Sequence, residues 1–332
     1  MVSGIVERIG ESKGLIKHTL KISGQTISEE TSIKNHALAL KKVSDLLLKG
    51  ETAVVKSPNE IEAVGHRVVH GGEKFGAPTL ISNGQIIDEL KALSHLAPLH
   101  NPANIIGIEV AQKVFPMAKQ VAVFDTAFHH SLPEHAYRYA VPNEWYDQHG
   151  LRAYGFHGTS HQYVSEEGAN HLGIHLDQFN TITIHLGNGC SMTAIKNGKS
   201  IDTSMGLTPM GGLIMGSRPG DFDPSLILFL ANNLEMSLEE IDNLLNKQSG
   251  LKGLTGDNDL REVLDRYHKH ESQARLAIDM YVYRIQKYIG AYAVILGRVD
   301  ALIFTAGVGE NSAFIREKVC SNLNILGVAF DR

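Results

Sequence analysis

Four apolar runs in this chain stop in the same way, and this repetition constrains the fold more than any other feature. IEAVGHRVVHGG (61–72), QVAVFDTAFHH (120–130), TITIHLGNG (181–189) and DALIFTAGVGENS (300–312) each read as a β-strand that ends at glycine or at a reactive polar residue. Helical patterns lie between them. Asn101-Pro102 opens one, with Ile106, Val110 and Val114 at a spacing of four and Pro116 as its stop. Ser237 with Glu240 forms a capping box ahead of another, whose Leu238, Ile241, Leu244 and Leu245 make one apolar face. The alternation predicts an α/β class, and 332 residues of which 43% are hydrophobic favour two domains over one. Ligands in open α/β sheets bind beyond the carboxyl ends of strands, so four such endings, if they converge, build one site from distant sequence.

Composition narrows the function. A formal charge of −5 without a Lys/Arg block argues against nucleic acid or an anionic membrane as the main partner. The two cysteines, Cys190 and Cys320, are far apart and read as buried fillers in a reducing compartment. The opening MVSGIVERIGESKG lacks the pattern of a secretory signal, so a cytoplasmic location is expected. The longest apolar segment, 274–296, carries Asp279, Arg284 and Lys287 and reads as a buried helix ending near Gly297, not a membrane span.

Three glycine-rich stretches carry the chemistry. After HLGNGC, the pair Asn197-Gly198 predicts a type I′ hairpin, so the first glycine turn leads into a hairpin and is no dinucleotide fingerprint. Its successive N–H groups suit phosphate oxygens, although a tight turn without a ligand fits as well. In FTAGVGENSAFIREKV a strand leads into a helix with Asn311 and Ser312 as cap types, whose amino end would favour negative charge. GLTPMGGLIMGSRPGDFDP (206–224) surrounds Arg218 with glycine and proline. Its guanidinium either pairs with Asp221 at the surface or is held rigidly for a carboxylate or phosphoryl group. Of the 17 histidines, His157 and His161 stand at His-x-x-x-His spacing, which admits zinc, but Gly158 and the missing glutamate favour hydrogen-bond donation toward an anion for His157 and His100.

GHRVVHGGEKF, LAPLHNPANI, FDTAFH, YGFHGTSH, HLGNGCSMTAIKNGKSIDTSMGLTPMGGLIMGSRPGD and FTAGVGENS occur in an order and spacing that resembles the acetate kinases across residues 1–332. The resemblance implies the actin-like ATPase superfold shared with sugar kinases, actin and heat-shock chaperones. Its two domains are expected at 1–127 and 128–332 with nucleotide in the cleft between them. It implies phosphoryl transfer from ATP to acetate giving acetyl phosphate and ADP, with Mg²⁺ or Mn²⁺, in a homodimer. Carried over by position, the resemblance makes Arg67 and Arg218 the substrate and phosphoryl arginines. Asp125 becomes the metal-associated aspartate, acting indirectly or through water, and His157 and His100 the active-site histidines. Val69, Leu99, Phe156 and Pro209 match the pocket for the acyl methyl group. His185, Leu186, Gly187, Asn188 and Gly189 match the phosphate motif. Asp259, Leu260 and Arg261, with Gly307, Val308, Gly309, Glu310 and Asn311, match the nucleotide side. Leu260 stands where the family often has Phe.

Acetate kinases begin with a further strand and an Asn-x-Gly-Ser-Ser-Ser turn ahead of SGIVERIG, and end in a segment with a metal-associated Glu. Met1 lies two residues before SGIVERIG and the chain stops at LGVAFDR. On the resemblance it is therefore expected to be the middle of an acetate kinase. A remnant that binds nucleotide without turnover is the alternative, and a metal-dependent hydrolase built on the histidines is a second.

Overall fold

A computed structural model describes residues 1–98 and 100–328. The chain divides into two compact units, Met1–Phe124 and Asp125–Arg332.

In the first unit β1 (Val2–Glu7), β2 (Gly14–Leu20) and β3 (Thr26–Thr31) form an antiparallel meander. Ile16, Ile33 and Ala39 make a small core beneath it. A second sheet has the order β4 (Ala63–Val68), β6 (Lys119–Phe124), β5 (Thr79–Leu80), with β4 and β6 parallel. The second of the two helices between β5 and β6 runs Asn101–Val114, as Pro102 and Pro116 lead one to expect. Its rotation corrects the expected apolar stripe: Asn101, Ile105, Ile108 and Ala111 face inward, whereas Ile106 is 46% exposed. The reason is a tether. Asn101 is not the cap; its amide accepts from the His70 N–H (3.1 Å) and donates to the His70 carbonyl (3.0 Å), which fixes the phase of the helix.

The second unit holds one sheet of order β10-β7-β8-β9, with β7 at Thr181–Leu186, β8 at Cys190–Lys196, β9 at Lys199–Thr203 and β10 at Ala301–Thr305. β10 pairs parallel to β7, so His185 and Thr305 end side by side. Asn197 and Gly198, at φ 52° and 72°, make the β8–β9 turn with both central residues left-handed, as the type I′ reading requires. The strand alternation of β7 sorts its partners. Thr183 and His185 face the Gly158–Leu172 helix, bonded to His161 and Ser160. Leu186 shares its face with its register partner Cys190, whose thiol meets Tyr281 of the Ser272–Leu296 helix at 3.3 Å. The strand is thus covered on both sides, with hydroxyl and imidazole groups on one face and aliphatic groups on the other. The Ser272–Leu296 helix ends at Gly297 with a positive φ of 72°, and no helix among the described residues is long and apolar enough to cross a membrane.

Candidate active site

The turn Gly187–Gly189 leaves β7 and enters β8, and its bareness has a steric cause. A methyl group built on Gly189 would lie 2.7 Å from Arg218 Nη2 and 3.6 Å from His157 Nε2. An arginine and an imidazole therefore converge over this one glycine. On the other side of the turn, the Gly216 N–H donates to the Asn188 carbonyl (2.9 Å), and a methyl on Gly216 would overlap the Asn188 side chain.

That second contact belongs to the 206–224 loop, which is folded into the unit: Leu213 and Met215 are fully buried. The loop is clamped by the segment after the capping-box helix, since Ser249, Leu251 and Lys252 donate N–H bonds to the carbonyls of Ser217, Met215 and Gly216. Asp221 does not pair with Arg218. It accepts from the Gly212 N–H (2.7 Å) and the Tyr288 hydroxyl (2.6 Å) and lies 3.9 Å from Arg284. Arg218 donates to the Pro209 carbonyl, and burial lowers its pKa below the usual arginine value. No carboxylate among the described residues forms an ion pair with it.

His157 caps the Gly158–Leu172 helix from the left-handed region, at φ 57°. Such a conformation is strained for a side chain of this size and is tolerated where neighbours enforce it. The Gly158 N–H donates to the Asp125 carbonyl (2.8 Å), and the His157 ring stacks on His185 with centroids 4.1 Å apart. Asp125 itself is buried. The zinc reading of His157 and His161 is corrected by their partners: His161 Nδ1 is bonded to Thr183 Oγ1 (2.7 Å) and Nε2 to Ser191 Oγ (2.7 Å), while His157 Nδ1 is bonded to the same Ser191 Oγ (2.8 Å). Burial pushes His161 well below its ordinary pKa and holds His129 near 4, so both rings are neutral. His129 Nε2 donates to the carbonyl of Phe156, which is itself buried, and His129 Nδ1 bonds Ser200 Oγ.

Beside the turn opens a cavity of about 630 Å³. Gly187 and Asn188 line it together with Asp259, Leu260, Arg261, Gly307, Val308 and Asn311, which brings three distant parts of the sequence together. His185, Leu186, Gly189, Gly309 and Glu310 are not in its lining. The glycine run after β10 also differs from expectation. It is itself a helix, Ala306–Asn311, and only the next helix, Ala313–Cys320, uses Ser312 as its cap. Glu310 makes this early start feasible, because its carboxylate accepts from the Ala306 N–H (3.1 Å) and the Thr305 hydroxyl (3.1 Å). The negative charge drawn to this helix end is the chain's own.

In the first unit Arg67 is exposed near the end of β4, in register with Val123 of β6. Val69 follows, buried, its N–H donating to the Asn104 side chain (3.1 Å). His100 is exposed at the start of the Asn101–Val114 helix, and Leu99 lies outside the described residues. Pro209 and Phe156 belong to the second unit.

The acetokinase family model matches residues 1–332. The chain belongs to the acetokinase family. It is 51% identical to an acetate kinase of Helicobacter pylori over all of this chain and 82% of that protein, and 52% identical to one from Sulfurovum over 97% and 80%. Among solved structures it is similar to an acetate kinase of Porphyromonas gingivalis (45% identity, 99% of this chain and 82% of that one, TM-score 0.92). A propionate kinase of Francisella tularensis gives 44% identity, 99% and 83% coverage, and a TM-score of 0.93.

As an acetokinase, the chain has the actin-like ATPase fold, and it is a phosphotransferase. Several residues of its site escaped the sequence reading. Asn258 and Tyr281 line the cavity. Asn258 adjoins the matched positions 259–261, but Tyr281 sits in a helix whose periodicity shows only burial. Ser191 and Thr183 read as strand residues, and nothing in sequence joins them to His157, 34 and 26 positions away.

Proposed function

We propose that this acetokinase transfers the γ-phosphoryl group of ATP reversibly to acetate, giving acetyl phosphate and ADP. The observation that carries the reading is the convergence of Arg218 and His157 on Gly189, beside a cavity lined by three separate segments at matched nucleotide positions. Acetate is ionised at neutral pH, so no general base is required. The problem is repulsion between anions. A phosphoryl transition state spreads charge over its equatorial oxygens, and a rigid guanidinium with an imidazole N–H meets that charge where it develops.

In this reading Arg218 and Arg67 bind acyl and phosphoryl oxygens, and His157 and His100 donate to them. Val69, Leu99, Phe156 and Pro209 keep the role toward the acyl methyl group that the resemblance assigns them. Gly187 to Gly189 admit the phosphates, and Asp259 to Arg261 with Gly307 to Asn311 hold the nucleoside. No three acidic, histidine or cysteine side chains group as metal ligands among the described residues. Mg²⁺ takes one or two carboxylates and completes its shell with phosphate and water, so the single buried Asp125 fits it. When bound, Mg²⁺ or Mn²⁺ neutralises charge on the phosphates. We place the reaction in the cytoplasm, in keeping with two free, buried cysteines. A homodimer accords with exposed apolar residues such as Phe229, Tyr283 and Val294.

The test is hydroxamate trapping of acetyl phosphate from ATP, Mg²⁺ and acetate with the full-length protein. Acetate-dependent product and its reversal by ADP are expected; ATP turnover independent of acetate would overturn the reading.

A further inference from the structure

Beneath the candidate site, two hydroxyls and two imidazoles form one chain of hydrogen bonds: Thr183 Oγ1 to His161 Nδ1 (2.7 Å), His161 Nε2 to Ser191 Oγ (2.7 Å), and Ser191 Oγ to His157 Nδ1 (2.8 Å). Thr183, His161 and Ser191 are fully buried, so none of these groups hands its proton to water. The proton positions then follow from counting donors. The Thr183 side chain has one partner, His161 Nδ1, and a buried hydroxyl with one partner that can accept donates to it. A neutral His161 that accepts at Nδ1 carries its proton on Nε2 and gives it to Ser191 Oγ. Ser191 must then send its own proton to His157 Nδ1.

We propose that Thr183, His161 and Ser191 are positioning residues that hold His157 as the tautomer protonated on Nε2, presenting an N–H to the transferring phosphoryl group. Nε2 is the nitrogen 3.6 Å from a methyl built on Gly189, on the side shared with Arg218, so the relay points a donor to where the guanidinium already points. The His157–His185 stack and the left-handed backbone at His157 restrain the ring from turning the other nitrogen outward. The catalytic consequence rests on the reaction proposed above; the tautomer does not.

The relay is directional, so deleting its first donor removes the bias that sets its direction. In Thr183→Val, His161 no longer receives a proton at Nδ1, and either of its nitrogens can carry the proton; in the Nδ1 form its Nε2 accepts from Ser191, and Ser191 accepts from His157 Nδ1. The experiment is a ¹⁵N-histidine correlation spectrum of the full chain, together with kcat, KM for ATP and ADP affinity for Thr183→Val, Thr183→Ser and Ser191→Ala. The expected result is His157 protonated on Nε2 in the parent and in Thr183→Ser, and a shift toward Nδ1 in Thr183→Val. Turnover should fall on the order of tenfold in Thr183→Val and Ser191→Ala at unchanged ADP affinity, with recovery in Thr183→Ser. A parent spectrum with the proton on Nδ1, or a Thr183→Val spectrum identical to it, overturns the relay. Should Thr183→Val not fold, Ser191→Ala gives the same decision through mixed His157 tautomers. If the tautomer shifts as expected while turnover stays at the parental value, the relay stands and the role given to His157 in phosphoryl transfer falls.

Discussion

The turn after β7 and the turn after β10 leave adjacent strand ends, His185 opposite Thr305, and both are written with paired glycines. After β7 the glycine keeps clear of Arg218, whose Nη2 would lie 2.7 Å from an added methyl, with the His157 ring at van der Waals distance. After β10 the residues form a helical turn closed by Glu310, and a methyl on Gly307 would meet nothing within 4 Å. Gly189 makes room for a group of the protein, and Gly307 leaves room in a cavity. The same letters in sequence thus report two different physical demands, and only one lies against the convergent arginine.

The largest effect expected from this comparison is at the arginine. Arg218→Ala should lower kcat on the order of 10³, as for a missing arginine finger, because the charge it meets appears only in the transition state. Arg261 is the contrast: it is exposed and already forked onto Asp259, so Arg261→Ala should act on KM for ATP with kcat within about twofold. Steady-state kinetics on both variants decide it, and equal losses of kcat would erase the distinction.

A second effect concerns the buried imidazoles under the β7 turn. The folded pKa of His129, about 4, is below its ordinary value of 6.5 because burial disfavours the charged ring. The stability from burying it neutral is therefore complete above about pH 6.5 and is lost as pH falls toward 4, by roughly 3 kcal/mol for this group. His161 acts in the same direction. Denaturant midpoints at pH 7 and pH 5 should show this loss, and His129→Asn should flatten the slope; an unchanged slope would mean that His129 is charged in the fold.

Gly189→Ala comes next, with a loss in kcat on the order of 10² from displacement of the arginine by a few tenths of an ångström to an ångström. Smallest is Gly307→Ala. Alanine in place of glycine within a helix stabilises by about 0.5–1 kcal/mol, so the melting temperature should rise while KM for ATP increases and kcat is retained. If Gly307→Ala lowers kcat as much as Gly189→Ala does, the two turns share one role and the comparison fails.

Much of this was legible in the sequence because it depends on local rules. Alternating strand and helix patterns, the Ser237–Glu240 box, the Asn197-Gly198 hairpin and the Gly297 stop each follow from φ/ψ preference or hydrogen bonding within a few residues. Motif order also identified the family and named eight residues that line the cavity. Three-dimensional packing decided the rest. Ile106 was expected inward and is exposed, because the Asn101 tether to His70 sets the helix phase. Asp221 turned from Arg218 to Tyr288 and Gly212, because the folded loop brings those groups closer. The glycine run after β10 became helix because Glu310 reached back to its first turn. The order of protons from Thr183 to His157 belongs wholly to this second class. A hydroxyl's donor direction depends on which acceptor lies within 3 Å once water is excluded, and no local pattern of residues encodes that.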